Sequence, residues 1–90
     1  MKDFQLDAIT ALSTNLKRIR STKGLTQVEL ADAAGLKQAT VSQIELGKSW
    51  PDYKTISALC DALKCEHTEL TSHPDLLKMF ESIKNVKKEK

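Results

Sequence analysis

The chain has 90 residues, 40% of them apolar and 29% charged, with a net charge of +2. That size fits one domain with a modest core, and that balance argues against wholesale disorder. No apolar run is long enough to cross a membrane, and the N-terminal MKDFQLDAIT carries acids where a signal peptide needs a basic start and an apolar centre, so a cytoplasmic protein with reduced thiols is expected.

Scarce aromatic residues, three glycines and two prolines favour helices over sheet. The first helix is predicted over residues 6–20, where Ile9, Leu12, Leu16 and Ile19 repeat at three- and four-residue spacing and make one buried stripe. Gly24 supplies its stop. Thr26-Gln27-Val28-Glu29 is a capping box, so a second helix runs from Gln27 to Ala34 and ends at Gly35. A third is expected over residues 38–46. Lys37 occupies its cap position, which opposes the helix dipole unless an anion is near. Pro51-Asp52 opens a fourth helix with Asp52 as its cap, burying Ile56, Leu59, Cys60 and Leu63. A short turn or helix follows near residues 67–70. Ser72-His73-Pro74-Asp75 then begins a last helix whose apolar face is Leu76, Leu77, Met79, Phe80, Ile83 and Val86, ahead of a polar tail, KNVKKEK. The expected fold is all-α, with about six helices: a domain over residues 1–73, then a C-terminal helix and basic tail over 74–90 that packs on that domain or forms a dimer contact.

The stretch LTQVELADAAGLKQATVSQIELGK, residues 25–48, carries the most specific pattern. Two short helices crossing steeply over a tight turn must approach closely at Ala31, where a larger side chain would force them apart. Gly35 takes the left-handed conformation the turn requires. Val41 and Ile44 share one face and pack inward, which sends residues 38, 39, 42 and 43 elsewhere. Charge gathers here too. Residues 17–48 hold six bases against three acids, a net +3, whereas the rest of the chain is net −1. A phosphate backbone would be drawn to that segment.

On Thr26-Gln27, Leu30-Ala31, Gly35, Thr40-Val41-Ser42, Ile44-Glu45 and Gly47-Lys48, this stretch resembles the helix-turn-helix of the Cro/repressor (Xre) family of DNA-binding regulators. The resemblance extends over roughly residues 12–70 and implies a lambda-repressor-like five-helix domain, here with an additional C-terminal helix. It implies that the second helix of the pair lies in the major groove. Lys37, Gln38, Ala39 and Gln43 are then the base-reading residues: a glutamine amide matches N6 and N7 of adenine, alanine meets a thymine methyl, and lysine reaches guanine or a phosphate. Gln27 is implied to bond a phosphate from its helix N-terminus. Thr40 and Ser42, short enough to let the backbone come near, and Lys48 beside Gly47 complete the phosphate set. Arg20 and Glu45 match a family pair that forms an internal salt bridge. Three residues depart from the pattern. Leu46 replaces a small or polar residue and either packs inward or alters the loop contact. Asp52 stands where some relatives place a base. Trp50 is unusual in the loop, and either lies on the sugar-phosphate backbone or covers apolar surface.

Cys60, Cys65, His67 and His73 follow a C-x4-C-x-H-x5-H spacing, which is no usual zinc pattern, and Cys60 falls on a buried stripe. No nucleophile–base arrangement and no glycine-rich phosphate loop stand out, so neither an enzyme, a metal nor a cofactor is expected. The partners expected are double-stranded DNA and a second copy of the chain, through residues 67–86. The functions expected are a repressor on a near-palindromic operator, with a restriction–modification controller or an antitoxin binding a protein toxin as alternatives.

Overall fold

The structure, a computed structural model, describes residues 2–72, with side chains from residue 8 onward. Five helices follow one another: α1 (Lys2–Thr22), α2 (Gln27–Ala34), α3 (Gln38–Glu45), α4 (Tyr53–Leu63) and α5 (His67–Thr71). No strand occurs among the described residues. The C-terminal helix expected from Pro74 onward, and with it most of the expected dimer contact, lies outside them.

The local signals act as predicted in the middle of the chain. The Thr26 hydroxyl accepts the Glu29 N–H at 3.0 Å, and the Glu29 carboxylate accepts the Thr26 N–H at 2.9 Å. Asp52 accepts from Thr55 N–H at 2.9 Å and so starts α4. Both contacts satisfy amides that a helix start leaves without partners. Helix α1 begins earlier than the apolar stripe suggests and reaches two residues beyond Arg20.

The ends of α2 and α4 share one device. After α2, Leu36 N–H bonds Ala31 C=O and Gly35 N–H bonds Asp32 C=O, with Gly35 at φ 71°. After α4, Cys65 N–H bonds Cys60 C=O and Lys64 N–H bonds Asp61 C=O, with Lys64 itself left-handed at φ 56°. This Schellman geometry brings the residue after the left-handed position against the fourth-last helical residue. It therefore explains why Cys60 and Cys65 lie together: the pair is the apolar contact of a helix terminus. Burial, and then the neighbouring Cys65, push the Cys60 thiol up to about 12. A thiol that weakly acidic is protonated at neutral pH and a poor nucleophile. No cluster of metal-ligating side chains occurs among the described residues.

The core joins every helix: Leu12, Leu16 and Ile19 of α1, Leu30 and Ala31 of α2, Val41 and Ile44 of α3, Ile56, Leu59, Cys60 and Leu63 of α4, and Leu70 of α5. Helix α2 packs on α3 and α4, and α1 on α3 and α5. Ile9 departs from the expected stripe. It is 38% exposed and lies over the turn after α3, its Cγ2 3.5 Å from where a Cβ on Gly47 would stand. The buried face of α1 instead includes Ala11 and, fully enclosed, the amide of Asn15.

Asn15 works as a clamp on the end of α5. Its Nδ2 donates to Leu70 C=O at 2.9 Å and to Ser72 C=O at 2.6 Å, and its Oδ1 accepts from Arg18 Nη2 at 3.1 Å. Two carbonyls that a five-residue helix leaves open are thereby satisfied inside the protein. Replacing Asn15 with Ala leaves both without this partner, the Leu70 carbonyl inside the protein, so Asn15→Ala should cost roughly 1–3 kcal/mol of stability, read as a lower denaturant midpoint with unchanged cooperativity.

Candidate nucleic-acid interface

The arrangement of α2 and α3 follows from small residues at their junction. Ala31 is buried where the helices meet, and the Gly35 turn carries the chain directly into α3. Val41 and Ile44 then face the core, both essentially inaccessible. With that face fixed, Gln38, Ala39 and Gln43 are exposed, while Thr40 and Ser42 are half-buried at the edges of the same helix. Lys37 and Lys48 are exposed at its two ends. The side chains assigned to base and backbone contacts thus border one short exposed ridge.

The positive end of α3 has no acidic compensation. Lys37 makes no side-chain capping bond, and no acid lies in the first turn. Such a terminus favours an incoming anion. At the other end Gly47 N–H bonds Ile44 C=O and Lys48 N–H bonds Gln43 C=O, which closes α3 and sends Lys48 out of the turn. Leu46 does not pack inward; it is 63% exposed, because the core-facing positions of α3 are already taken by Val41 and Ile44. Trp50 and Tyr53 are exposed on the following segment, with the Tyr53 ring 5.2 Å from that of His67.

Behind the ridge stands an ion pair. Arg20 Nε donates to Glu45 Oε2 at 2.6 Å and Arg20 Nη2 to Glu45 Oε1 at 3.0 Å. Arg20 Nη1 also donates to Leu25 C=O at 2.7 Å. One guanidinium therefore joins α1, the turn before α2, and the last turn of α3. The Glu45 side chain is 1% exposed and that of Arg20 15%. Burial by itself would raise the Glu45 carboxyl. The bonds from Arg20 and Gln27, with the charges of Arg20 and Lys17, outweigh that and hold it below its ordinary 4.5.

Glu45 is also the root of a polar chain that leads to the surface. Gln27 Nε2 donates to Glu45 Oε1 at 3.0 Å, and Gln38 Nε2 donates to Gln27 Oε1 at 2.9 Å. Reading the sequence missed both contacts. The signal available was weak: Gln27 opens one helix and Gln38 the next, and only the crossing angle of α2 and α3 brings them together.

Glu45→Ala should destabilise the fold by about 3–5 kcal/mol, nearer the lower figure because Arg20 keeps some solvent and its bond to Leu25. The pH dependence has a definite sign. The folded carboxyl of Glu45 titrates below the ordinary value, so its contribution is present above about pH 4.5 and is lost as pH falls through the lower folded value. Thermal melts from pH 6 to pH 3 should show the wild type losing stability on acidification and the variant losing less. The part remaining belongs to groups such as Asp52, whose carboxyl is also held low by Thr55 N–H.

Comparison with known proteins agrees with this geometry. The family model described as helix-turn-helix matches residues 16–70. An uncharacterised HTH-type transcriptional regulator, y4dJ of Sinorhizobium fredii, is 34% identical over 70 residues, covering 78% of this chain and 91% of that protein. The immunity repressor protein of Bacillus phage phi105 is 32% identical over 75 residues, and there the chain spans about half of the relative, 52%. Among solved structures, the restriction-modification controller protein C.AhdI from Aeromonas hydrophila superposes with a TM-score of 0.67 at 32% identity, over 69% of this chain and 94% of that one. The fold is all-α and lambda-repressor-like, and no described helix is long and apolar enough to cross a membrane. With the family model covering more than half of its length, the chain belongs to the helix-turn-helix family of Cro/Xre-type transcriptional regulators, and is not an enzyme.

Proposed function

We propose that the chain is a sequence-specific repressor that places α3 in the major groove of double-stranded DNA. The observation that carries this reading is the ridge itself: Gln38, Ala39 and Gln43 are exposed on a helix whose opposite face is locked into the core. Gln38 and Gln43 read base edges, Ala39 meets a thymine methyl, and Lys37 reaches a guanine or a phosphate. Gln27, Thr40, Ser42 and Lys48 hold the backbone. Gln27 keeps one amide N–H beyond the one given to Glu45, and that N–H is free for a phosphate oxygen.

An eight-residue recognition helix spans only a few base pairs. Two copies of the chain on a near-palindromic operator, with half-sites about 34 Å apart, supply the missing length. The homodimer contact we propose involves residues 67–86, with residues 74–90 forming the terminal helix and tail. The superposition on a restriction-modification controller favours that role as a second reading. An antitoxin role, with a protein toxin as partner, rests on the sequence alone.

Gln38→Ala should weaken binding to the preferred duplex by about 1–3 kcal/mol and flatten one base preference, measured by fluorescence anisotropy across single-base variants of the site. Lys48→Ala should weaken all those duplexes alike and lower the slope of log K against log salt by about one. A flat response of Gln38→Ala across the variants, or a base-dependent response of Lys48→Ala, contradicts the role given to that residue.

A further inference from the structure

We propose that Glu45, which is enclosed behind the ridge, determines the base read by Gln38, because its carboxylate sets the direction of the hydrogen bonds running through Gln27.

An ionised carboxylate only accepts hydrogen bonds, whereas a primary amide has one accepting edge and one donating edge. Glu45 is ionised at neutral pH beside Arg20, so it accepts from Gln27 and requires the Nε2 of that residue to face it. With Nε2 turned to Glu45, Gln27 presents Oε1 to Gln38. Gln38 must then donate with its own Nε2. What remains at the surface is the Gln38 Oε1 and one N–H, an acceptor beside a donor.

That pair is complementary to adenine, which offers an N6 donor beside the N7 acceptor in the major groove. The reverse chain would turn Gln27 Oε1 toward Glu45 Oε1, setting two acceptors against each other at 3.0 Å inside the fold. Only that reverse chain would have Gln38 accept from Gln27 and show two N–H donors outward, which suits the N7 and O6 acceptors of guanine. A buried negative charge therefore selects adenine over guanine two residues away in the chain of bonds. Glu45 is a positioning residue in this account, acting through Gln27 alone. An ion pair with a purely structural role would support the binding of every sequence equally.

The inference rests on Gln38 reading a base edge, and the test separates the two. The purified full chain is incubated with a randomised duplex pool, and the bound fraction is sequenced for the wild type and for Gln38→Ala, Glu45→Gln and Gln27→Leu. Gln38→Ala identifies the position read by that residue. If it alters no position, the base-reading role fails and the inference with it. The wild type is expected to prefer adenine there, and a preference for guanine overturns the inference while leaving base reading intact. In Glu45→Gln the neutral amide is able to donate to Gln27, the chain can run either way, and adenine-over-guanine discrimination should fall about tenfold at that position only. Gln27→Leu leaves the Arg20–Glu45 pair untouched and should give the same local loss, which decides the matter if Glu45→Gln fails to fold by circular dichroism. Weaker binding with the wild-type preference retained at that position, in the folded variants, overturns the proposal.

Discussion

The fold of this small regulator depends on how one half-buried guanidinium is shared. Arg20 leaves α1 in its last turn, closes the turn before α2 through Leu25 C=O, and grips the final residue of α3 through both carboxylate oxygens of Glu45. Helix α3 has only eight residues, too few to be stable alone. Its position therefore comes from tertiary contacts: Val41 and Ile44 in the core and Glu45 on Arg20. The apolar contacts hold the helix down. The bidentate pair adds direction, because a fork of two N–H groups meets two oxygens in one plane. Removing Arg20 would leave the buried Glu45 charge without its counterpart, which is why the cost exceeds that of an exposed ion pair.

From that anchor the surface follows outward. A helix whose inner face is committed has no choice about its outer one, and Gln38, Ala39 and Gln43 are what remains. Ala31 and Gly35 let α2 come close enough for Gln27 to lie between Glu45 and Gln38. The polarity of a single buried charge is thus carried to a side chain on the exposed ridge. Short side chains along that ridge, which would be an odd choice for a solvated face, suit the proposed approach of α3 to a sugar-phosphate wall. The opening lysine of α3 and the lysine after Gly47 mark its two ends with positive charge.

Much of this was legible in the residues because it is local. A threonine three residues before a glutamate, a glycine after a short apolar helix, and valine and isoleucine three apart each act within one turn of backbone. The parts that were not legible depend on distant elements. Ile9 has the spacing of a core residue, yet it lies over the Gly47 turn and stays partly exposed. Asn15 sits within the apolar repeat of α1, and a polar residue inside such a stripe is a sign of a buried partner, but its partners at residues 70 and 72 are more than fifty positions away. Leu46 reads as a candidate for the interior until the closure of α3 at Gly47 shows it facing solvent. The paired cysteines have no usual ligand spacing, and the terminus of α4 explains their closeness as packing.

We propose that the ion pair holds α3 so that its Gln38–Gln43 ridge is the surface that meets DNA. The most direct measurement is a nitrogen-15 NMR titration of the full chain with a duplex taken from the selected pool, following the side-chain amides. Gln27, Gln38 and Gln43 are expected to shift together with the backbone of residues 37–48, while the Arg20 Nε resonance keeps the position set by Glu45. Shifts confined to another face of the protein, with those three amides unmoved, would contradict that role of the ridge.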